Sequence, residues 1–478
     1  MHAKRLHPAA LIYFWYRSVR EGLFYAFLIV IANLDRFFTP LFWIGFGALF
    51  ALSILAAVLK YMKYTYELTS QEVVLNSGIF FHQHVHIAYN KIQTLQTRQW
   101  FYLRPFNLVS LQIETSGRAD NKPEAVLPVI SMNVVEEIRK RRSGGSQPFK
   151  EEQTISGKSN KNGYRINLRD LNLYALTSFG FFPFLVGLLA VFDRITDVVP
   201  EKYIDSAWGL LAQQGLAILI FILVLIVILA VGLSYLLIFN RYFHFSIETT
   251  DHRLVTSKGL LQKNNVTVAT NKIQAVMITQ TLLRQFLKLA TVQTLLASQA
   301  ANEEQGNDLV VIPVISQGKA INTTRQFVNW LPNKKGELKM IERPGRFRKF
   351  RNIFLPTLAL VILLSILVRP YGLISLVLLP FAGMIGYYNG VNSGIAVGPK
   401  NVLIAKSARF FTRRIFLMPR AKIQSITMTQ SVWMKNSKLT HITLSLRSGN
   451  AQQTVKVRYL PEQTAKQIYQ WYRGNLEV

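Results

Sequence analysis

Three histidines and three lysines are the side chains whose types and spacing come nearest to a chemical site. His82, His84 and His86 alternate along the chain. On a strand all three point to one face, and imidazoles at that spacing can share a metal. Lys91, Lys272 and Lys422 each stand directly before Ile-Gln. A lysine repeated in one motif reads as a contact for a ligand or headgroup, or as a solvated residue at a strand start whose Ile and Gln set the register. The second reading is preferred, because lysine is mostly exposed in any domain. A denser cluster, Lys334, Lys335, Lys339, Arg343, Arg346, Arg348, Lys349 and Arg351, runs straight into an apolar segment. Beside anionic lipid each such charge contributes about 1 kcal/mol, and the same charges set topology. Lys158, Lys161, Arg165 and Arg169 form a weaker counterpart.

Other chemistry is absent from the sequence. There is no Cys, which excludes disulfides, thiolate metal sites and cysteine nucleophiles. No Gly-rich phosphate loop follows a strand pattern, and neither Gly-x-Ser-x-Gly nor His-Glu-x-x-His occurs. In two later copies of the same unit the histidine positions become Lys263, Asn265 and Thr267, then Arg413, Ile415 and Leu417. A metal site would therefore be private to the first copy, and it lacks a nearby carboxylate or Cys partner. What recurs is a cation-capable residue at 82, 263 and 413, which suits contact with anions. No catalytic residue, metal or cofactor is expected, and the chain is read as non-enzymatic.

The elements that must position these residues come in pairs. Of 478 residues half are hydrophobic, and mean hydropathy is +0.21, which suits membrane spans mixed with polar domains. The apolar segments are Gly22 to Leu34 and Leu41 to Leu59, then Leu171 to Phe192 and Ala207 to Phe239, then Ile353 to Val368 and Tyr371 to Tyr388. A span needs about 20 apolar residues. Segments two, three, four and six reach that; one and five need flanking residues or a thinner bilayer. The first is read as a retained span and not a cleaved leader, because the later pairs occupy equivalent places. The aromatic stretch Leu11 to Tyr16 before it is expected at the interface.

Charge orients the chain. The loop Asp193 to Asp205 carries Asp193, Asp197, Glu201 and Asp205 against Arg194 and Lys202, and the other tips are Asp35-Arg36 and Arg369-Pro370. Net charge is +30, from 55 Lys+Arg against 25 Asp+Glu, and nearly all the bases lie on the opposite side. The positive-inside rule then places both termini and every polar domain in the cytoplasm of a multi-pass bacterial cell-membrane protein. Ionisable residues are almost absent within the spans, which disfavours coupled transport. The bases follow juxtamembrane segments without a nucleic-acid-binding signature, so nucleic acid is not expected.

The polar segments repeat. Asn90-Lys91-Ile92-Gln93 returns as Asn271 to Gln274 and as Ala421 to Gln424. Thirteen residues before each Lys stands Gly78, Gly259 or Arg409. Alternating runs such as Leu108 to Glu114, Leu289 to Leu295 and Leu439 to Leu446 predict antiparallel strands. Val134 to Arg142, Ala320 to Leu331 and Ala465 to Tyr472 predict closing helices. The long spacing between motif lysines marks a domain repeat, not a solenoid.

Tyr64-x-Tyr66-x-Leu68, the Gly-Ile or Gly-Leu at Gly78 and Gly259, and Lys-Ile-Gln resemble the bacterial pleckstrin-homology (PH) domain of membrane proteins. Three such units behind hairpins resemble the YdbT type, over most of the chain. The resemblance implies two nearly orthogonal sheets with a C-terminal helix across one end, and no catalytic activity. The third unit departs from it at Arg409 and Ala421. Its turn is in question, because Gly tolerates positive φ and Arg does not.

The expectation is an α+β membrane protein with six transmembrane helices in three hairpins, each followed by a PH-like β-barrel or sandwich with a C-terminal helix. The predicted divisions are 1–61 (N-terminal segment and first hairpin), 62–142 (first PH-like domain), 143–170 (flexible basic linker), 171–240 (second hairpin), 241–332 (second PH-like domain), 333–351 (basic linker), 352–390 (third hairpin) and 391–478 (third PH-like domain). The expected role is protein or anionic-lipid binding and scaffolding at the membrane, with a protein partner in the same membrane or a homo-oligomer. The alternative is a membrane-transport or lipid-translocation component. Three domains on one side of a bilayer let weak contacts add up.

Overall fold

A computed structural model describes residues 4–32, 39–79, 81–115, 124–142, 163–178, 184–187, 216–250, 253–297, 308–333, 338–368, 371–448 and 451–474. The three predicted tips, residues 143–162 of the predicted linker, residues 179–183 and 188–192 of the third apolar segment, residues 207–215 of the fourth, Lys334 and Lys335 lie outside the described residues, and with the linker go Lys158 and Lys161.

The first unit begins with β1 (Lys4–Arg5), then the apolar helices α1 (Ala10–Ala32) and α2 (Pro40–Lys63). Pro40 in the first turn of α2 gives up an N–H that the helix does not use, and Lys60 and Lys63 in the last turn offset its dipole. Strands β2 (Thr65–Leu68), β3 (Glu72–Ser77), β4 (Gln83–Ala88), β5 (Ile92–Trp100), β6 (Leu108–Thr115) and β7 (Ala125–Ser131) follow, closed by α3 (Met132–Arg142).

The second unit repeats this order. It has β8 (Gly163–Arg165), α4 (Leu168–Leu176) and α5 (Leu216–Tyr242), then β9 (Ser246–Thr250), β10 (Arg253–Lys258), β11 (Gln262–Ala269) and β12 (Ile273–Gln280). After these come α6 (Leu282–Phe286), β13 (Leu289–Leu296), β14 (Asp308–Ser316) and α7 (Ala320–Thr324). The third has β15 (Lys339–Met340), α8 (Arg343–Leu367), α9 (Leu378–Val391), β16 (Gly394–Gly398), β17 (Val402–Arg409), β18 (Thr412–Pro419) and β19 (Ile423–Thr429). It ends with α10 (Val432–Lys435), β20 (Leu439–Ser448), β21 (Ala451–Pro461) and α11 (Glu462–Arg473).

The chain is thus α+β with antiparallel sheets. Among the described residues four stretches are long and apolar enough to cross a membrane: Phe42–Lys63, Ile220–Tyr242, Arg343–Leu367 and Gly372–Val391. Before each helix pair runs a strand of two or three residues that pairs with the strand after it: β1 with β2, β8 with β9 and β15 with β16. Both ends of each apolar insertion are therefore fastened to one sheet. Residues 163–170 and 338–351, read from sequence as linker, carry these strands and the starts of α4 and α8. Asn167 caps α4 by accepting the Asp170 N–H at 2.7 Å, which a polar linker reading overlooks.

Each unit spans two sheets, and the sheets are shared between units. The strand orders are β1-β2-β3-β4, β7-β6-β5-β11-β10-β9-β8, β14-β13-β12-β18-β17-β16-β15 and β19-β20-β21. The last three strands of one unit therefore continue edge to edge into the first four of the next. The second core follows the shared sheet and takes in Val402, Ile404, Ile415 and Leu417 of the third unit.

The Lys-Ile-Gln motif is the corner between a unit's two sheets. Tyr89–Lys91, Thr270–Lys272 and Arg420–Lys422 each make one 3-10 turn. Ile92, Ile273 and Ile423 follow, 4 %, 1 % and 5 % exposed. The ladder then slips by one residue at the Gln in all three units, a bulge that bends the strand away from the sheet it leaves.

The turn thirteen residues earlier is built in two ways. Gly78 and Gly259 have φ of 109° and 112°, and a Cβ there would collide with the carbonyls of Phe81 and Gln262. In the third unit Arg409 pairs with Thr412 across a two-residue turn, and Phe410 takes the positive φ of 52° instead. Gly259→Ala is expected to cost about 1–3 kcal/mol, seen as a lowered unfolding temperature in detergent. Arg409→Gly is expected to change stability by less than about 1 kcal/mol. Equal losses in both would contradict the two turn designs.

Candidate functional site

Strand direction gives every unit one end beside the apolar helices and one far from them. β2, β9 and β16 leave the apolar helices, the next strand returns, and the third departs again. The β3–β4 type of turn therefore comes back to the helix feet, where Leu260 N donates to Asn240 O and Gly259 N to Phe243 O, both at 2.9 Å. The 3-10 turns Phe101–Phe106 after β5, α6 after β12 and α10 after β19 return there too. Arg348 Nη2 of α8 donates to Trp433 O at 3.0 Å, and Tyr16 of α1 packs on Trp100 at 6.0 Å between rings.

This end exposes apolar side chains in every unit: Phe81, Phe101 and Phe106, then Leu260, Leu261, Phe286 and Leu287, then Phe410, Val432 and Trp433. Exposed Arg104, Lys288, Lys435 and Lys438 stand among them. Apolar tips between cations at the root of hydrophobic helices suit the water–bilayer interface. Asn107, Lys288 and Lys438 hold the same left-handed backbone position, φ 51°, 53° and 47°.

The motif lysines lie at the other end. Tyr89 N bonds Gln71 O at 3.0 Å, and its hydroxyl donates to Thr69 O at 3.1 Å, so the corner packs beside the turn that points away from the helices. A six-residue strand separates the two ends by about 20 Å. Lys272 and Lys422 are brought together there, lining a cleft of about 470 Å³ with Asn271, Gln274, Gln424 and Arg447. Lys422 Nζ donates to Asn271 O at 2.9 Å, bracing the joint between the second and third units. Among the described residues no acid lines this cleft. Lys91 is exposed at the corresponding corner of the first unit. Arg447 carries no sequence signal, since the aligned position in the second unit is Ala297.

Of the basic cluster before the fifth segment, Lys339 stands in β15 and Arg343, Arg346, Arg348, Lys349 and Arg351 in the first turns of α8. Arg343 and Arg351 are exposed, and Arg346, Arg348 and Lys349 are half-buried. Arg346 Nε donates to Ile341 O at 2.7 Å, and Lys349 Nζ to Asn389 O at 3.3 Å and to Ser393 Oγ. Part of the cluster thus ties α8 to α9 and to the third unit. His441 Nδ1 accepts the Tyr459 N–H at 3.0 Å in the same region. Burial, and then the Arg458 charge, hold that imidazole below its ordinary pKa.

The histidines are separated in use. His84 Nδ1 meets Asn76 Oδ1 at 2.7 Å, and His86 Nδ1 meets Glu72 Oε1 at 3.0 Å. Glu72 is a carboxylate neighbour that the sequence distance concealed. No group of three metal-ligating side chains occurs among the described residues. Of the recurring cations at 82, 263 and 413, Arg413 meets a neutral amide: its Nε donates to Gln280 Oε1 across the joint at 3.0 Å.

Arg284 went unnoticed in the sequence. It is 4 % exposed, where the aligned residues Leu103 and Met434 are core apolars. Its guanidinium donates to Thr177 Oγ1 at 3.0 Å, Ser178 Oγ at 2.8 Å and Tyr174 O at 3.2 Å, and lies over the Tyr174 ring at 4.6 Å. Burial lowers its pKa. It locks the foot of α4 onto the second unit.

The family model for the bacterial PH domain matches three times, at residues 25–144, 193–327 and 353–476. The chain is also 26 % identical over 494 residues to the UPF0699 transmembrane protein YdbT of Bacillus subtilis (strain 168), covering 98 % of each.

If the motif is a structural corner, its Ile outweighs its Lys. Ile273→Ala is expected to destabilise the protein by about 2–5 kcal/mol. Lys91→Ala is expected to stay within about 0.5 kcal/mol. Thermal unfolding in detergent separates the two.

Proposed function

The chain belongs to the bacterial PH-domain family, and from that premise we propose that it is a non-enzymatic, multi-pass protein of the bacterial cell membrane whose PH-like units form one rigid cytoplasmic scaffold. The observation that carries this reading is the sharing of sheets between successive units. Three domains joined through backbone ladders hold fixed positions that three domains on linkers would not.

In this reading six helices cross the membrane in three hairpins. The apolar and basic rim lies against the bilayer, where Arg343, Arg351, Lys435 and Lys438 meet anionic headgroups. The far end faces the cytoplasm. Its cleft with Lys272, Lys422 and Arg447 receives acidic groups of a protein partner, since headgroups of the same bilayer stand a strand's length away. The size of the cleft suits a few side chains or one small anionic group.

Two measurements test the proposal. Reporters fused after Arg142, Leu331 and Val478 should all report the cytoplasm; an extracytoplasmic signal at any one sinks the orientation. Detergent-solubilised protein pulled from native membranes should carry both anionic lipid and a protein partner. With Lys272→Ala, Lys422→Ala and Arg447→Ala combined, the partner should weaken by about 3- to 100-fold, at about 0.2–1 kcal/mol per charge, while the lipid stays. A preparation lacking both ligands, or a partner indifferent to the triple variant, would overturn it.

A further inference from the structure

The two joints inside the chain obey one register rule. In the first, Leu95 pairs with Thr267 and Gln99 with Lys263. In the second, Val276 pairs with Leu417 and Gln280 with Arg413. In both, the residue four after a motif lysine faces the residue five before the next motif lysine, and the ladder runs on from there. The array therefore has a head and a tail. β4 ends one sheet and β19 ends another, and neither has a strand on its outer side among the described residues. β4 occupies the place that β11 and β18 hold at the joints, and β19 the place of β5 and β12.

We propose that β19 of one molecule pairs with β4 of a second copy, in the register of the internal joints, so that the protein assembles head to tail in the membrane. The rule sets Ile426 opposite His86, Met428 opposite His84 and Gln430 opposite His82 of the neighbouring copy.

Several features favour this occupant. Neither edge carries the Pro or Lys that natural edge strands use against pairing. The tail is prepared as the internal joints are: Gln430 Nε2 donates to Leu439 O at 2.9 Å, as Gln280 does to Leu289 O at 2.7 Å and Gln99 to Leu108 O at 3.2 Å. At the second joint the Gln280 Oε1 takes the Arg413 guanidinium; at the free end Gln430 would take His82. Large apolar side chains flank both edges, Phe81 at 86 % and Val432 at 78 % exposure. Repeating the internal step also keeps every helix pair on one side, so a new copy enters the same bilayer. The contact is heterologous, which builds a ring or a row and not a two-fold dimer.

The chain has no Cys, so introduced cysteines report alone. Copies carrying His84→Cys and copies carrying Met428→Cys, differently tagged, are expressed in one membrane and oxidised there. A disulfide-linked dimer of the two tags is expected in several-fold excess over a control of His84→Cys with Thr427→Cys, because adjacent residues face opposite sides of a strand. Both changes in one chain should give a ladder of multimers. Gln83→Cys with Thr429→Cys is the second in-register pair, since neighbouring antiparallel pairs alternate between wide and close spacing. No dimer from either pair, equal linking of the shifted control, or linkage to a different protein each overturns the proposal. Because this goes beyond the scaffold reading, its failure leaves the lipid and partner measurements standing.

Discussion

The structure depends on satisfying strand edges. A sheet edge presents unpaired N–H and C=O groups, and burying them unpaired costs about 1–3 kcal/mol each. A small PH-like unit has two sheets and hence several such edges. Here β5 pairs with β11 and β12 with β18, so a unit's exposed edge is met by its neighbour. Ladder bonds of this kind do not need matched side chains. That explains why Thr267 at one joint can stand where Leu417 stands at the other, with the register unchanged. Side chains then add local locks, Arg413 on Gln280 and Lys422 on the Asn271 carbonyl.

The second constraint is the membrane. An apolar helix pair inserted into a sheet must leave and re-enter at one point, and the strands β1, β8 and β15 fasten that point. Successive strands then alternate in direction, so the two ends of each unit acquire different surroundings without further instruction. Turns that come back to the helix feet carry Phe81, Leu260 or Phe410. Corners that stay away carry Lys91, Lys272 or Lys422. The division between apolar rim and cationic far end thus follows from strand count and direction.

Much of this was legible in the sequence, and what was not has physical reasons. Antiparallel strands, closing helices and the corner motif left period-two runs and a repeated Lys-Ile-Gln. The joints left almost nothing, because backbone pairing is indifferent to most side chains. The strands before the helix pairs have two or three residues, too few to show alternation. A cation recurring at 82, 263 and 413 suggested an anion; at 413 the acceptor is a neutral amide instead. Arg284 was hidden because a buried arginine satisfied by hydroxyls and a carbonyl has no acidic partner to announce it.

The inequality of the three copies follows from the same geometry. In a linear array the head of the first unit, the two joints and the tail of the third are four different environments, so one position in the repeat answers to different neighbours. His84 and His86 stand on an outer strand face, where Asn265 and Ile415 lie within joints. The third turn can lose its glycine because Phe410 supplies the positive φ. The second unit can bury Arg284 because Thr177 and Ser178 sit above it, whereas Leu103 and Met434 fill the same place with hydrocarbon. Divergence of this kind keeps what every unit shares, the buried Ile and the bulge after it, and varies what only one neighbour touches. The constant part of the repeat is therefore the part that builds the array, and the variable part is where the copies differ in what they can hold.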